Sequence, residues 1–562
     1  MKEYKHIKER FDEMKAERSN WDTMYQVLGE YISQMKQNFQ GQPSRGEFLT
    51  DEIFDSTGTF AANNAASALL GMLWPATAKQ AIEITPPDDM EESTELAEFY
   101  EMMTDELVRS MDDPKANLSL ALDEYMLDQM IFGTSGVGVE KGEDSDLLYK
   151  SYGVKEIYVD EGKNGAIDTI ALFYEWSAKR TVDEYSEKNV SEKTRKAAKE
   201  NKKDKVKILI MIRPRKEKKA EKGMLAMPYE SIHLEYGTCH LLREEGFVEL
   251  PISITRFRKL AYEKYGRSAG MNALPDVKEA NALREAVIIA TEKILDMPIG
   301  VLDDGMLGSG YIDTSARAVT VFNASNNIGN SPPVFDIGTP PRIDYAEARL
   351  EKLRETISQH FSIDRLIDFN NDTQMTFGEA QIRDQIRTAS LLGLFNRQIT
   401  ELFTPLIERS IGIKMRAGDF GVVKGSDIEI ERLAEGKEVT YFPDAIAKRM
   451  ASDKDIYQIT YKTKAANASK AEEYIAIIDV MTFATQAMQV DESVRHRVNL
   501  HEGLKVLGDI RALPVGIIRE DDEVEELMAQ EQKQLQAQQQ MQMAEQAAGV
   551  YEKAAKGDAA LK

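Results

Sequence analysis

The chain has 562 residues, 42% of them hydrophobic and 30% charged. That is too long for one core and too apolar for global disorder, so several modules are expected. The formal net charge of −24 excludes a free-standing, non-specific DNA binder with an overall basic footprint; it leaves room for a local patch, or for a protein that surrounds DNA without gripping it. Cys239 is the sole cysteine, which excludes an intrachain disulfide and suits a reducing cytoplasm. Cys239-His240, with His233 nearby, lacks a second cysteine and a zinc-like spacing, so no metal is expected. The opening Met1-Lys2-Glu3-Tyr4-Lys5-His6 is charged, and no signal peptide is expected. No apolar run approaches the ~20 residues of a membrane span.

Residues 1–40 read as a helix, with Phe11, Met14, Trp21, Met24, Tyr25, Leu28 and Ile32 at helical spacing. Gln40-Gly41-Gln42-Pro43 breaks it. A second helix follows Ser56-Thr57-Gly58 and stops at Trp74-Pro75. Its many small residues permit close packing, in the core or against another subunit. Helices are expected near 92–112 and 117–132, the latter ending at Phe132-Gly133-Thr134. The pattern then turns to strands at 136–140, 156–160, 169–176, 207–213 and 248–254, rich in β-branched and aromatic residues. This is α+β order, not an alternating βαβ wheel. Gly136-Val137-Gly138 lacks the third glycine and following helix of a dinucleotide fingerprint. Residues 188–222 are basic, with acids interleaved. They read as a solvated helix and hairpin tip, or as a contact for an acidic partner or nucleic acid.

The informative centre starts at Tyr265-Gly266-Arg267-Ser268-Ala269-Gly270-Met271-Asn272-Ala273-Leu274-Pro275-Asp276. Pro275 is expected in a first helical turn, with Asp276 complementing the helix dipole. Val277, Ala280, Leu283, Val287, Ala290 and Ile294 form an apolar stripe, with Lys278, Asn281, Glu285, Glu292 and Asp296 on other faces. The helix spans roughly 30 Å at 1.5 Å per residue and ends at Met297-Pro298. A compact stretch follows at 298–342, with strands at 299–302 and 318–322 and a hairpin turn expected at Asp303-Asp304-Gly305. Another helix begins near Asp344, with the stripe Ile343, Ala346, Leu350, Leu353, Ile357 and Phe361. After the polar loop Asp368-Phe369-Asn370-Asn371-Asp372, Thr376-Phe377-Gly378-Glu379 is a capping box. It opens a long helix to about Ile413, which Pro405 is expected to kink. Residues 420–465 read as short strands and turns, and 469–509 as helix. Beyond Glu520 the chain is acidic, then rich in Gln, Ala and Met, without a clean heptad. That end is either a helix stable only when packed against neighbours or a disordered tail. No Gly-x-x-x-x-Gly-Lys-Ser/Thr loop occurs, which argues against a P-loop ATPase. Glu143-Asp144-Ser145-Asp146 reads as an acidic surface loop.

The block Tyr265–Met271, then Leu274-Pro275-Asp276-Val277-Lys278 and Asp303-Asp304-Gly305, resembles the head-to-tail connector (portal) proteins of podovirus-type phages. So does the earlier segment Asn63-Asn64-Ala65-Ala66-Ser67-Ala68-Leu69-Leu70-Gly71-Met72-Leu73-Trp74-Pro75. The resemblance covers roughly residues 1–510. It implies an α+β, predominantly helical portal fold. It also implies a structural homo-oligomeric ring of typically about twelve copies at one capsid vertex, through which double-stranded DNA is packaged and ejected. Residues 1–271 would be an N-terminal wing with a β-rich module at about 134–258. Residues 272–297 and 343–362 would be stem helices, packed through Val277, Leu283, Val287, Ile294, Leu350, Leu353 and Ile357. Residues 298–342 would be the clip and 363–375 a tunnel loop offering Arg365, Asn370, Asn371 and Gln374 to the channel. Residues 376–468 would complete the wing, and 469–562 would form crown or barrel helices and a Gln-rich tail.

The implied partners are other copies of the chain, major capsid and scaffolding proteins, the terminase large subunit, a tail adaptor and DNA, with no membrane. No catalytic residue, cofactor or metal is implied. The implied place is the virion, after synthesis in the host cytoplasm. Lys79-Gln80-Ala81 departs from the aromatic pair of many relatives, and the basic segment 188–222 matches no family motif. The alternatives are a tail adaptor, an ejection protein or a DNA-processing enzyme.

Overall fold

The structure, a computed structural model, describes residues 4–33, 53–361, 392–462 and 471–488, with residues 499, 503–504 and 506–507; within these spans it leaves out 76, 88, 91–92, 201–204, 217–219, 221–222, 298, 304–314, 316–317, 324–333, 337–342, 435–438 and 453. The chain divides into two compact units, Met1–Ala466 and Asn467–Lys562.

In the first unit, α1 (Lys5–Tyr31) buries Ile7, Phe11, Met14, Arg18, Tyr25 and Leu28 along one face. Arg18 is a charge inside an apolar stripe. It is tolerated because its guanidinium donates to the carbonyls of Val154 and Ile157, at 2.9 and 2.6 Å, and pairs with Asp22. The alanine-rich α2 (Thr57–Leu73) buries Ala61, Ala62, Ala65, Ala66 and Leu69. β1 (Ile82–Thr85), α3 (Thr94–Met111) and α4 (Leu118–Phe132) follow. Gly133 closes α4 at φ 80°, a left-handed C-cap.

Two antiparallel sheets come next. β2 (Thr134–Glu140), β3 (Leu148–Tyr152) and β9 (Ile252–Arg256) lie in the order β3-β2-β9. β4 (Ile157–Glu161), β5 (Ile167–Ser177), β6 (Lys205–Pro214), β7 (Tyr229–Glu235) and β8 (His240–Phe247) form a meander. The N-terminal half of α1 packs on that meander through Phe11 and Met14. The sequence pattern left out β3, β7 and β8, whose Lys, His, Arg and Glu residues blur the alternation. The strand expected at 248–254 begins only at Ile252, after Pro251, which has no N–H to donate. Between β5 and β6 lie α5 (Ala178–Tyr185) and α6 (Glu192–Lys199), and α6 carries the described start of the basic segment. Its charges are met locally by Lys196–Glu192 and Lys199–Glu187 pairs, which fits a solvated helix. His233 of β7 is half-buried between the Tyr185 hydroxyl and Ser231, and desolvation drives its pKa down to about 3. Among the described residues no group of three acidic, His or Cys side chains could hold a metal ion. No described helix is long and apolar enough to cross a membrane.

The long helix α7 (Ala269–Leu295) leads to β10 (Ile299–Asp303), β11 (Val319–Asn323) and β12 (Val334–Asp336), and then α8 (Ile343–His360) returns. These strands lie in the order β11-β10-β12. β10 and β11 are parallel. So β10 and β11 are not hairpin partners, since parallel neighbours need a crossover; Asp304 and Gly305 of the expected turn lie outside the described residues.

After residue 391 the chain is helical over Leu392–Gln398, widens into a π-helical turn at Ile399–Phe403, and continues as Thr404–Ala417. Pro405 sits just beyond the π turn. Its missing N–H breaks the ordinary ladder, and the Thr404 N–H bonds instead to the Ile399 carbonyl. Two short helices, Asp427–Ala434 and Asp444–Ala451, occupy much of the stretch expected to be strands and turns. β13 (Gln458–Tyr461) pairs antiparallel with β1 and closes the unit. The second unit is described through the helix Ala471–Met488, which exposes Val480 and Phe483.

Candidate functional site

The feature with most architecture behind it is the α7–α8 pair and the small sheet it carries. The base of α7 is set by the Tyr265–Gly270 block, and the structure gives each residue a mechanical task. Tyr265 is buried against Trp21, and its hydroxyl accepts from the Val159 N–H. The Gly266 N–H donates to Thr134 Oγ1 at 2.8 Å. A Cβ on Gly266 would lie 2.1 Å from the Gly133 carbonyl oxygen, so only glycine admits this approach. Arg267 exchanges backbone hydrogen bonds with Arg258 and lays its guanidinium over Trp21. Ser268 caps α7 by accepting from the Met271 N–H at 2.9 Å, and its hydroxyl donates to the Ile131 carbonyl. The helix therefore starts at Ala269. Pro275 lies inside it and not in the first turn.

α7 and α8 run antiparallel. Moving along α7 from Asp276 to Glu279, the polar partner on α8 moves back from His360, hydrogen-bonded at 2.9 Å, to Arg349, ion-paired at 2.8 Å. Near the base, Val277, Ala280, Val287, Leu350, Leu353 and Ile357 are buried and Leu283 is half-buried, with α1, α2 and α4 packed around them. Asn281, expected on an outer face, is buried. Its Oδ1 accepts from the Phe54 and Asp55 N–H groups. Asp55 in turn accepts from the Arg354 guanidinium at 2.8 Å. Burial pushes the Asp55 carboxyl up, but hydrogen bonds from Thr57 and Arg354 outweigh it and hold the group below the ordinary carboxylate range. This latch ties the segment before α2 to both long helices. An asparagine on a helix otherwise rich in apolar residues was the only sequence signal of it.

The far end is different. Ile289 is 46%, Ile294 39% and Leu295 79% exposed on α7, Tyr345 is 81% exposed at the start of α8, and Val319 is 58% exposed on β11. Ile294 thus leaves the packed stripe to which its spacing assigned it. Among the described strands β11 is an edge, paired only to β10. Scattered exposed apolar residues are ordinary on a monomer; these five gather at the end of the helix pair that bears the small sheet. Arg365, Asn370, Asn371 and Gln374 lie outside the described residues.

This architecture can be set beside known proteins. The family profile described as bacteriophage head to tail connecting protein matches residues 4–434, and the chain belongs to that family. A relative named as a probable portal protein, from Bordetella phage BPP-1, is 23% identical over 418 residues, covering 72% of this chain and 73% of that protein.

Proposed function

We propose that the chain is a portal subunit: a structural protein that forms a ring at one capsid vertex, through which DNA enters and leaves the head. The observation that carries this reading is the antiparallel α7–α8 pair, buried at its base and apolar yet exposed at the end that bears the β10–β12 sheet. In a ring, that apolar end packs against the equivalent elements of neighbouring copies. Family membership and the naming of the BPP-1 relative support the same reading.

In this assignment residues 272–297 and 343–362 are the stem and 298–342 the clip, which docks the terminase and later a tail adaptor. Residues 363–375 form a tunnel loop in which Arg365 is the cation and Asn370, Asn371 and Gln374 are neutral hydrogen-bonding groups. Residues 1–271 and 376–468 make the wing, and 469–562 the crown. The net charge of −24 suits a conduit, because each phosphate neutralised by the wall would add affinity and slow sliding.

Electron microscopy of the purified full chain tests the assembly. Rings with a wide wing, a narrow stem and a central hole are expected, and monomers or open filaments overturn the proposal. Ile289→Glu with Leu295→Glu should prevent ring formation while leaving the monomer folded by circular dichroism. Substituting Arg365 and Asn371 together should impair DNA packaging or retention in intact rings, and unchanged packaged DNA would count against the tunnel-loop assignment.

A further inference from the structure

The two-stranded ribbon of β1 and β13 has one edge covered and one edge open. Its register sets Ile82 opposite Tyr461 and Ile84 opposite Ile459. The Lys462 N–H bonds to the Ala81 carbonyl at 2.8 Å, which makes both of those pairs the wide, non-hydrogen-bonded kind. The backbone N–H and C=O groups of Ile84 therefore point away from β13, and those of Ile459 and Tyr461 point away from β1. On the β1 side α3 supplies a partner: the Ile84 N–H donates to Thr104 Oγ1 at 3.0 Å. On the β13 side no hydrogen bond from a described residue reaches the backbone of Ile459 or Tyr461. A groove of about 580 Å³ runs there, between β13 and the helix Thr404–Ala417. Ile459 and Tyr461 line it from the strand, Glu408 and Met415 from the helix, and Met450 and Ile456 add apolar surface. No residue of β1 lines it, so it follows the open edge of the ribbon and not one of its faces.

The groove is also acidic. Glu408 and Asp455 both line it, and neither forms an ion pair among the described residues; Lys454, on the same rim, pairs with neither. Desolvation, with Asp455 and Glu249 close by, holds the Glu408 carboxyl above its ordinary range. The same carboxylate acts on the hydroxyls of Tyr457 and Tyr461, so it stands beside the strand along its length. We propose that this groove takes an extended, basic segment of a partner protein, which adds a third strand to the ribbon against β13. Each part of the site selects one feature of that segment. The unpaired backbone of Ile459 and Tyr461 selects an extended chain. The apolar surface of Met415, Met450 and Ile456 accepts its alternate side chains. Glu408 and Asp455 select lysine or arginine. A second β13 is the poorer occupant, because it brings the same two carboxylates with it and each copy carries a net charge of −24. The gain to the fold is a ribbon of three strands where two alone are marginal.

The test titrates the full chain with an acetylated peptide of about ten residues, valine alternating with lysine. The comparison peptides replace lysine by glutamate, or carry a central proline. The lysine peptide should bind about tenfold tighter than the glutamate peptide, and the proline should abolish binding because it cannot donate to the ladder. Hydrogen exchange resolved to single amides reads the place. Binding should slow Ile459 and Tyr461 about tenfold and leave Thr460, already bonded to Glu83, unchanged. Glu408→Lys should remove the preference for lysine while circular dichroism stays that of the parent; if that variant fails to fold, the three peptides on the parent chain decide. No binding, equal binding of the lysine and glutamate peptides, or protection only away from β13 overturns the proposal. So does slow exchange at Ile459 and Tyr461 in the chain alone, which would show that another part of the chain or a second copy already covers the edge.

Discussion

Gly266→Ala is the sharpest single perturbation of this fold. The new Cβ would sit 2.1 Å from the Gly133 carbonyl oxygen, 2.9 Å from Arg256 Cα and 3.0 Å from Arg256 Cβ. Two of these three atoms are backbone and cannot swing aside. Gly133 is itself fixed at φ 80° as the cap of α4, and its own Cβ position lies 2.6 Å from the Gly266 carbonyl oxygen. The loop cannot withdraw without giving up the Gly266 N–H to Thr134 bond and the Arg258–Arg267 backbone pair. Overpacking of this kind costs about 1–3 kcal/mol, and losing one buried hydrogen bond adds about 1 kcal/mol. A loss of about 2–4 kcal/mol is expected in denaturant unfolding of the full chain followed by circular dichroism. Gly71→Ala is the matched control. Nothing lies within 4 Å of its Cβ, and alanine within a helix should stabilise by about 0.5–1 kcal/mol. A Gly266→Ala protein within about 0.5 kcal/mol of the parent would refute the packing account of the Tyr265–Gly270 block.

Lys414 is buried and bonded to Glu106 at 2.8 Å, Asp146 at 2.7 Å and Asp419 at 3.2 Å. Lys414→Met strands these carboxylates and should cost about 3 kcal/mol in the same assay, the low end for a broken buried pair because Asp146 can rehydrate. For Arg354→Met the pH dependence is diagnostic. A carboxyl held below its ordinary value stabilises the fold above the unfolded pKa and loses that contribution as pH falls through the folded one, so the variant's deficit should be larger at pH 7 than at pH 3. His233 is desolvated and held neutral, with a pKa of about 3, so the unfolded chain binds the extra proton between about pH 6.5 and 3. Stability should decline as pH falls through that window. His233→Gln should flatten the decline, and an equal slope in both proteins would show that His233 is not its source.

Much of the fold was readable from periodicity. The stripes of α1, α7 and α8, the alanine face of α2 and the Gly133 stop all follow from residues no more than a turn or two apart. The buried residues at the base of α7 and α8 were on that reading too, because an apolar stripe must be covered by something. The latch among Asp55, Asn281 and Arg354 was not readable. It joins residues separated by 226 and 299 positions, and no local pattern registers a hydrogen bond of that reach.

By itself, the amino-acid order marked the long helices with their apolar stripes and several of the strands, but not β3, β7, β8 or the two short helices at Asp427–Ala434 and Asp444–Ala451. It also marked the Tyr265–Gly270 block as special, since its glycines and capping serine act over a few residues. Only the tertiary structure decided that this block is a contact between α4 and α7. Only it showed that β10 and β11 run parallel, and that the stripe of α7 is covered at its base and increasingly exposed toward Ile294. The reason is physical. Propensity and periodicity act within one element, whereas strand pairing, glycine-to-glycine contact and the length of stripe covered depend on where another element arrives.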